Sequence, residues 1–119
     1  FMMAINVFAA ATDGEGAYLR TSMQQAFINL RTGRPGPLPA PVADLEALVG
    51  PVAIEMVEDA LRISAVGAPE TVKAKLAELT SIYQPDEAII TGQIHDHVSR
   101  LNSFRIAAHA MKELNAETV

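Results

Sequence analysis

Short apolar runs that each lead through a turn into a helical stretch constrain the fold of this chain most strongly. The clearest example is Val66–Val72, where an apolar run enters a Gly-x-Pro turn and the turn opens a helix. Pro69 suits the first position of a helix, and Glu70 complements the positive helix end. This helix returns to a second apolar run at 86–94, which opens another helix after residues 95–97. The alternation predicts βα units and therefore the α/β class.

The first run, Met2–Ala11, is apolar on both alternating faces, as expected for a parallel strand that is covered on each side. Asn6 is its one polar interruption, and it shares a face with Phe8. Buried amides are usually satisfied by other protein groups. This favours a structural hydrogen bond for Asn6, with a contact to a ligand as the alternative.

A helix is predicted directly after this strand. Thr12-x-x-Glu15 is a capping pattern, and apolar residues then recur with a helical period until the helix ends near Gly33. The pair Gly14-x-Gly16 in the first turn is only superficially similar to a phosphate-binding loop, because the third glycine is absent. No phosphate site is therefore predicted from this pair.

Residues 33–62 are predicted to be an insertion between two βα units. Four prolines alternate with other residues at 35–41, so this stretch can neither continue a helix nor pair as a central strand. A stiff connector over the surface is favoured, and a proline-motif ligand is the alternative. A short helix that starts at Asp44 and is broken at Gly50-Pro51, followed by a second helical stretch, completes the insertion.

The chain is therefore predicted to be a single partial domain, 1–119. Its parts are a strand plus helix (1–32), the proline-rich loop and helical insertion (33–62), and a final part (63–119). This final part contains a brief extended piece at 63–66, a helix, the last strand and the terminal helix. Because Phe1 lies inside an apolar run, further sequence is expected to precede it in the natural protein.

Composition argues against several classes of function. The formal net charge is −5 and no basic stripe is present, which argues against a nucleic-acid partner. The absence of cysteine excludes disulfides, thiolate catalysis and Cys-based metal sites. No apolar run approaches the roughly 20 residues that span a bilayer, so a cytoplasmic protein without membrane contacts is expected.

Polar residues cluster where the last predicted strand ends, and α/β enzymes place ligands at such strand ends. Gln93 and His95 lie there, and Arg100 follows on the terminal helix, where it is suited to an anionic ligand. For the histidines at 95 and 97, packing is favoured, with a ligand-binding or acid-base role as the alternative. A metal site is disfavoured because adjacent-but-one side chains diverge and no third ligand cluster is visible. Asp96 is expected to cap the helix.

Three pieces of sequence follow one another in a recognisable order: Asn6–Asp13 leading to Gln24–Arg31, the turn Val66–Val72, and Ile94–His97 with Arg100-Leu101. In this order they resemble the C-terminal part of the luciferase-like flavin-dependent monooxygenases, a superfamily of TIM barrels. The resemblance implies a C-terminal fragment of a (β/α)8 barrel, about two βα units with the helical and proline-rich insertion. Ala68 departs from the family pattern, which commonly has Ser or Thr there. The missing hydroxyl weakens any phosphate role for this turn.

The resemblance also implies a chemistry: the oxidation of a small organic substrate by an enzyme that uses reduced FMN or the related deazaflavin as its redox cofactor. Asn6, Gln93 and His95 are then expected to face the barrel mouth. His95 is the candidate catalytic residue, and Asn6, Gln93 and Arg100 are candidates for binding the cofactor; no metal is expected. Much of the flavin cradle of the family lies in strands that this chain lacks. The fragment alone is therefore expected to bind no cofactor and to be inactive.

Two other functions stay open at this point. The first is a non-catalytic module from a split or truncated gene, which oligomerises or pairs with a separately encoded first part of the barrel. Its physical basis is that two parallel strands expose edges and apolar faces that nothing in the chain covers. The expected partner is accordingly a second copy or the missing N-terminal part. The second is a small-molecule binding protein on the same fold that has lost its chemistry.

Overall fold

The computed structural model describes residues 1–34 and 36–117, except for the side chains of Ala60 and Glu117. Within these residues the chain forms three strands and five helices. In chain order they are β1 (Met2–Ala9), α1 (Asp13–Arg31), α2 (Leu45–Val49), α3 (Pro51–Ala60), β2 (Ser64–Gly67), α4 (Pro69–Tyr83), β3 (Glu87–Thr91) and α5 (His97–Glu117).

The strands form one parallel sheet in the order β2-β1-β3. Phe8 pairs with Val66 of β2, and Asn6 pairs with Thr91 of β3. The predicted α/β class is confirmed. The brief extended piece expected at 63–66 is a paired strand, so the described chain contains three βα units where about two were expected.

The order of the strands determines where the helices lie. Crossovers between parallel strands are right-handed, and β2 and β3 lie on opposite sides of β1. Helix α1 therefore packs on one face of the sheet, while α4 and α5 pack on the other. In a closed barrel, consecutive strands are neighbours and all helices lie outside. Here the central position gives β1, the longest of the three strands, a partner on both edges.

The core lies on both faces of β1, as predicted from its sequence. Ile5 and Val7 pack with Leu76 of α4, whereas Phe8 packs with Leu19 of α1 on the opposite face. The amino-terminal half of the face that carries Phe8 is less covered, because Met2 is exposed. Burial of the sheet is thus concentrated toward the carboxyl end of β1.

The helical spacing of apolar residues in α4 predicts an inner face formed by Val72, Leu76, Leu79 and Ile82. The first three are buried, as predicted, but the prediction is wrong for Ile82, which is 63% exposed. The helix ends at Tyr83, with Gln84 in the left-handed conformation as its C-cap, so Ile82 lies in the last turn of the helix.

In α5 the helical spacing places a set of apolar residues on one side: Val98, Leu101, Phe104, Ala108 and Met111. This side is not the buried one along its whole length, because Val98 and Leu101 are 74% and 46% exposed. The buried positions are the small residues Ser103, Ala107 and Ala110. Small side chains allow this long helix to approach β1 and α4 closely, which explains why they occupy the inner face rather than the larger ones.

The proline-rich segment runs extended along α1 and is held there. Gln25 Nε2 donates to the carbonyl oxygen of Ala40 at 3.0 Å, and the N–H of Val42 donates to Thr21 Oγ1 at 3.0 Å. The connector role expected for this segment agrees with that path, although Pro35 lies outside the described residues.

Two buried serines differ in their hydrogen bonds. Ser103 Oγ accepts from the N–H of Ala9 at 2.9 Å and donates to the carbonyl of Val7 at 3.3 Å, whereas Ser22 Oγ has no partner within the described residues.

Ser103→Ala should lower the free energy of unfolding by about 1–3 kcal/mol, because a buried N–H loses its acceptor. Ser22→Ala should leave it unchanged or raise it by up to about 1 kcal/mol, because an unpaired buried hydroxyl is removed. Urea denaturation of both variants tests this, and equal losses would contradict it.

Candidate functional site

The carboxyl ends of the three strands meet at one edge of the sheet, since all the strands are parallel. A cavity of about 230 Å³ lies there, at the end of β1 and between the first turns of α1 and α5. Its lining residues are Ala9, Ala10, Glu15, Tyr18, Leu19, Ser99 and Asn102. The chain leaves β1 and β3 toward opposite faces of the sheet, and ligands of open α/β sheets bind at such a point. We call this edge the carboxyl edge.

The four residues predicted from sequence do not line this cavity. Asn6 is half-buried within the sheet, where its Oδ1 accepts from Thr91 Oγ1 at 2.7 Å. Gln93 and His95 are exposed after β3. Arg100 is exposed on α5, with Nη2 2.7 Å from His97 Nδ1. For Asn6 the structural hydrogen bond favoured from sequence is present, while the site roles of all four stay predictions.

A carboxylate occupies the start of α4. Asp13 Oδ1 accepts the N–H of Ala68 at 2.8 Å. This hydrogen bond, together with one from the Thr71 hydroxyl, holds the pKa of Asp13 below its ordinary value. Ala68 itself supplies no side-chain cap, and the Asp13 carboxylate is the side chain that accepts a backbone N–H at this helix start.

Glycine is required where α1 meets this turn. A Cβ at Gly16 would lie 2.7 Å from both the Gly67 nitrogen and the Phe8 carbonyl oxygen. Gly67 has φ +136°, and a Cβ there would overlap Asp13 Oδ1. The close approach of α1 to the β2–α4 turn therefore depends on two glycines and brings the Asp13 carboxylate to the turn.

The helices that follow β1 and β3 are also capped by the chain. Thr12 Oγ1 accepts the N–H of Glu15 at 3.2 Å, as the capping pattern predicts. Asp96 Oδ2 accepts the N–H and the hydroxyl of Ser99, both at 2.9 Å, which confirms the predicted cap. These two bonds lower the pKa of Asp96. The carboxyl edge thus carries ionised carboxylates at neutral pH.

These carboxylates predict how stability responds to acid. The pKa values of Asp13 and Asp96 lie below their ordinary 3.8 in the folded chain, so both groups stabilise the fold fully above that pH. Their contribution is lost as the pH falls through the lower folded values. We expect the urea midpoint to fall below about pH 4, and Asp13→Asn and Asp96→Asn each to remove part of that fall. A pH dependence unchanged in both variants would contradict these bonds.

Sequence reasoning missed Asp13, Gly16 and Ser103 as positioning residues. Asp13 lies inside the capping pattern Thr12-x-x-Glu15, whereas its partner Ala68 is 55 residues away. The Gly14-x-Gly16 pair was a visible signal, but its cause is close packing at Gly16. Nothing in the sequence marks Ser103 as the partner of β1.

A larger cavity of about 880 Å³ lies at the opposite end of the sheet, between α4 and α5. It is lined by residues that include Thr80, Asp86 and Met111. Ligands of parallel α/β folds bind at carboxyl rather than amino ends of strands. Its size alone therefore does not make it the candidate site.

Within the described residues, no group of three or more His, Asp or Glu side chains is arranged to hold a metal ion. No described helix combines the length and the apolar character needed to cross a membrane.

Comparison with known proteins bears on the family. The chain is 38% identical over 113 residues to a luciferase-like monooxygenase of Escherichia coli (strain K12), covering 95% of this chain and 34% of that protein. This identity along nearly the whole chain supports its assignment to the luciferase-like monooxygenase superfamily. The chain is also 35% identical over 111 residues to the uncharacterised protein YvbT of Bacillus subtilis (strain 168), covering 93% of this chain and 33% of that protein. No protein-family model matches it.

A solved structure supports the fold. The crystal structure of apo-MsnO8 is similar with a TM-score of 0.70 and 21% identity, over 93% of this chain and 34% of that chain. At this identity the likeness concerns the fold alone, and it agrees with the predicted segment of a larger α/β fold. The chain spans about a third of the length of the relatives it matches.

Proposed function

We propose that this chain is the C-terminal part of a flavin-dependent, luciferase-like monooxygenase that acts on a small organic substrate. The observation that carries the proposal is the 38% identity to the Escherichia coli luciferase-like monooxygenase along 95% of the chain. Reduced FMN is the first candidate cofactor, and the related deazaflavin is the other.

When bound, the reduced flavin supplies two electrons to molecular oxygen, which is the oxidant, and the protein supplies position and exclusion of water. At the carboxyl edge, Ala9 and Ala10 contribute small side chains that leave room above β1. Tyr18 contributes an exposed aromatic ring, and Asn102 contributes an amide that donates and accepts hydrogen bonds. In this proposal these residues form part of the pocket that orients the substrate.

We further propose that the chain alone is inactive and holds no flavin. The size of the cavity supports this, because about 230 Å³ is below the roughly 300–1,000 Å³ of sites that enclose a drug-sized ligand. The negative charge at the carboxyl edge supports it as well, because the carboxylates of Asp13 and Asp96 occupy the N-termini of α4 and α5. A flavin site then requires residues from outside this segment.

A graft tests the proposal. Residues 1–119 replace the matching third of the Escherichia coli relative, and the graft, the relative and the isolated chain are each passed through gel filtration with FMN or deazaflavin. The graft should retain flavin as the relative does and consume oxygen when the flavin is reduced, while the isolated chain retains none. Stoichiometric retention by the isolated chain would overturn its proposed inertness. A folded graft that retains no flavin while the relative does would overturn the shared function.

A second candidate is an oligomerising module without catalysis, favoured by apolar side chains on an uncovered part of the sheet. Helix α1 covers its face of the sheet only near the carboxyl edge, and Met2 and Ile89 are exposed on the rest of that face. In addition, β2 and β3 each have one edge without a strand partner in the described sheet. Such surfaces promote association with another copy. Sedimentation at micromolar concentration tests this candidate. Oligomers that dissociate in Ile89→Lys would support it, and a stable monomer would contradict it.

A further inference from the structure

This inference rests on the proposed function and concerns the phosphate of the flavin. We infer that the carboxyl edge of this chain does not hold that phosphate, because the Asp13 carboxylate already occupies the anion position at the start of α4. The phosphate is then held by residues outside this segment, and the carboxyl edge contacts other parts of the cofactor or the substrate.

The β2–α4 turn has the general form of an anion site, a strand followed by glycine and the N-terminus of a long helix. Glycine at such a turn allows an anion to approach the backbone closely. Here the space beside Gly67 is filled, because a Cβ built on Gly67 would overlap Asp13 Oδ1. The same oxygen accepts the N–H of Ala68 at 2.8 Å.

The other two helix starts at this edge do not offer an alternative. At α1 the side chain of Thr12 already accepts a backbone N–H, and at α5 Asp96 accepts the N–H of Ser99. Exposed Glu15 and Glu70 add negative charge in the first turns of α1 and α4. Arg100 is the cationic residue nearest in sequence to the start of α5, and it already contacts His97. A dianionic phosphate would therefore meet carboxylates at this edge, and the N–H of Ala68 is already bonded to one of them.

Phosphate titration of the isolated chain tests the inference, with urea denaturation at matched ionic strength in chloride as the reference. The wild-type midpoint should not respond specifically to phosphate. In Asp13→Ala the midpoint should rise with the logarithm of phosphate concentration, with a tenfold gain in the folded-to-unfolded ratio at about nine times the dissociation constant. Glu15→Ala removes a neighbouring carboxylate with no such bond and should behave as the wild type does.

Phosphate stabilisation of the wild type equal to that of Asp13→Ala would overturn the inference, and so would an Asp13→Ala variant that gains nothing. If Asp13→Ala is unfolded in chloride, phosphate should restore its helical circular dichroism. Failure of that recovery, with Asp13→Asn also insensitive to phosphate, would count against the inference. These outcomes are separate from the graft experiment, because a graft can retain flavin whichever residues hold the phosphate.

Discussion

Replacing Leu76 by alanine should lower the free energy of unfolding by about 2–5 kcal/mol. Leu76 has no exposed surface and packs with Ile5, Val72 and Ala107, so it joins α4 to β1 and α5. Truncation loses the transfer free energy of the buried methyl groups and leaves a cavity among well-packed neighbours. Urea denaturation, with the slope held constant between variants, measures the loss.

Ile82 on the same helix is the matched control. It is 63% exposed, so Ile82→Ala should change the free energy of unfolding by less than about 0.5 kcal/mol. Because Leu76→Ala has the potential to unfold a domain of marginal stability, Leu76→Met serves as a second variant, with an expected loss below about 1.5 kcal/mol. Losses of equal size at 76 and 82 would mean that α4 does not face the sheet in the way described.

Replacing Gly16 by alanine should cost about 1–3 kcal/mol, although the same change in an ordinary helix interior is favourable. The new Cβ would lie 2.7 Å from two backbone atoms, one in the β2–α4 turn and one in β1. Neither atom belongs to a flexible side chain, so α1 or the turn has to move. That movement also disturbs the bond between Asp13 and Ala68.

Gly14 provides the control for this substitution. It lies in the first turn of α1, and a Cβ there would have nothing within 4 Å. Gly14→Ala should therefore be neutral or stabilise the chain by up to about 1 kcal/mol. The two variants differ only in their surroundings, and a loss at Gly14 equal to that at Gly16 would contradict the close approach of α1 to the turn.

Local features were predictable from the sequence because their causes are local. The alternation of strands and helices follows from apolar periodicity, and the caps at Thr12, Asp44 and Asp96 follow from residue type at helix starts. The start of α4 at Pro69 has a similar explanation.

Strand order was not predictable from the sequence. Apolar periodicity indicates that a strand is buried, but it does not indicate which strands pair with it. The interpretation of 63–66 as a brief extended piece therefore missed the pairing of β1 with β2. The exposed Ile82 was predicted to face inward, and the exposed Val98 to belong to the apolar side of α5, for a similar reason. Helical period identifies an apolar face but not the length over which a neighbouring element covers it. The site residues depend on contacts distant in sequence, such as Asp13 with Ala68 and Ser103 with Ala9.

The order of the strands is the central claim, because it decides which residues meet at the carboxyl edge, and cysteine cross-linking tests it directly. The chain has no cysteine of its own. Ala4 and Ile89 are register partners on neighbouring strands. Ser64 and Thr91 lie on either side of Asn6 and are therefore separated by two strand spacings, each of about 4.8 Å. Disulfides require Cα atoms within about 7 Å. Oxidation should close an intramolecular disulfide in Ala4→Cys/Ile89→Cys and not in Ser64→Cys/Thr91→Cys, and the reverse result would contradict the account.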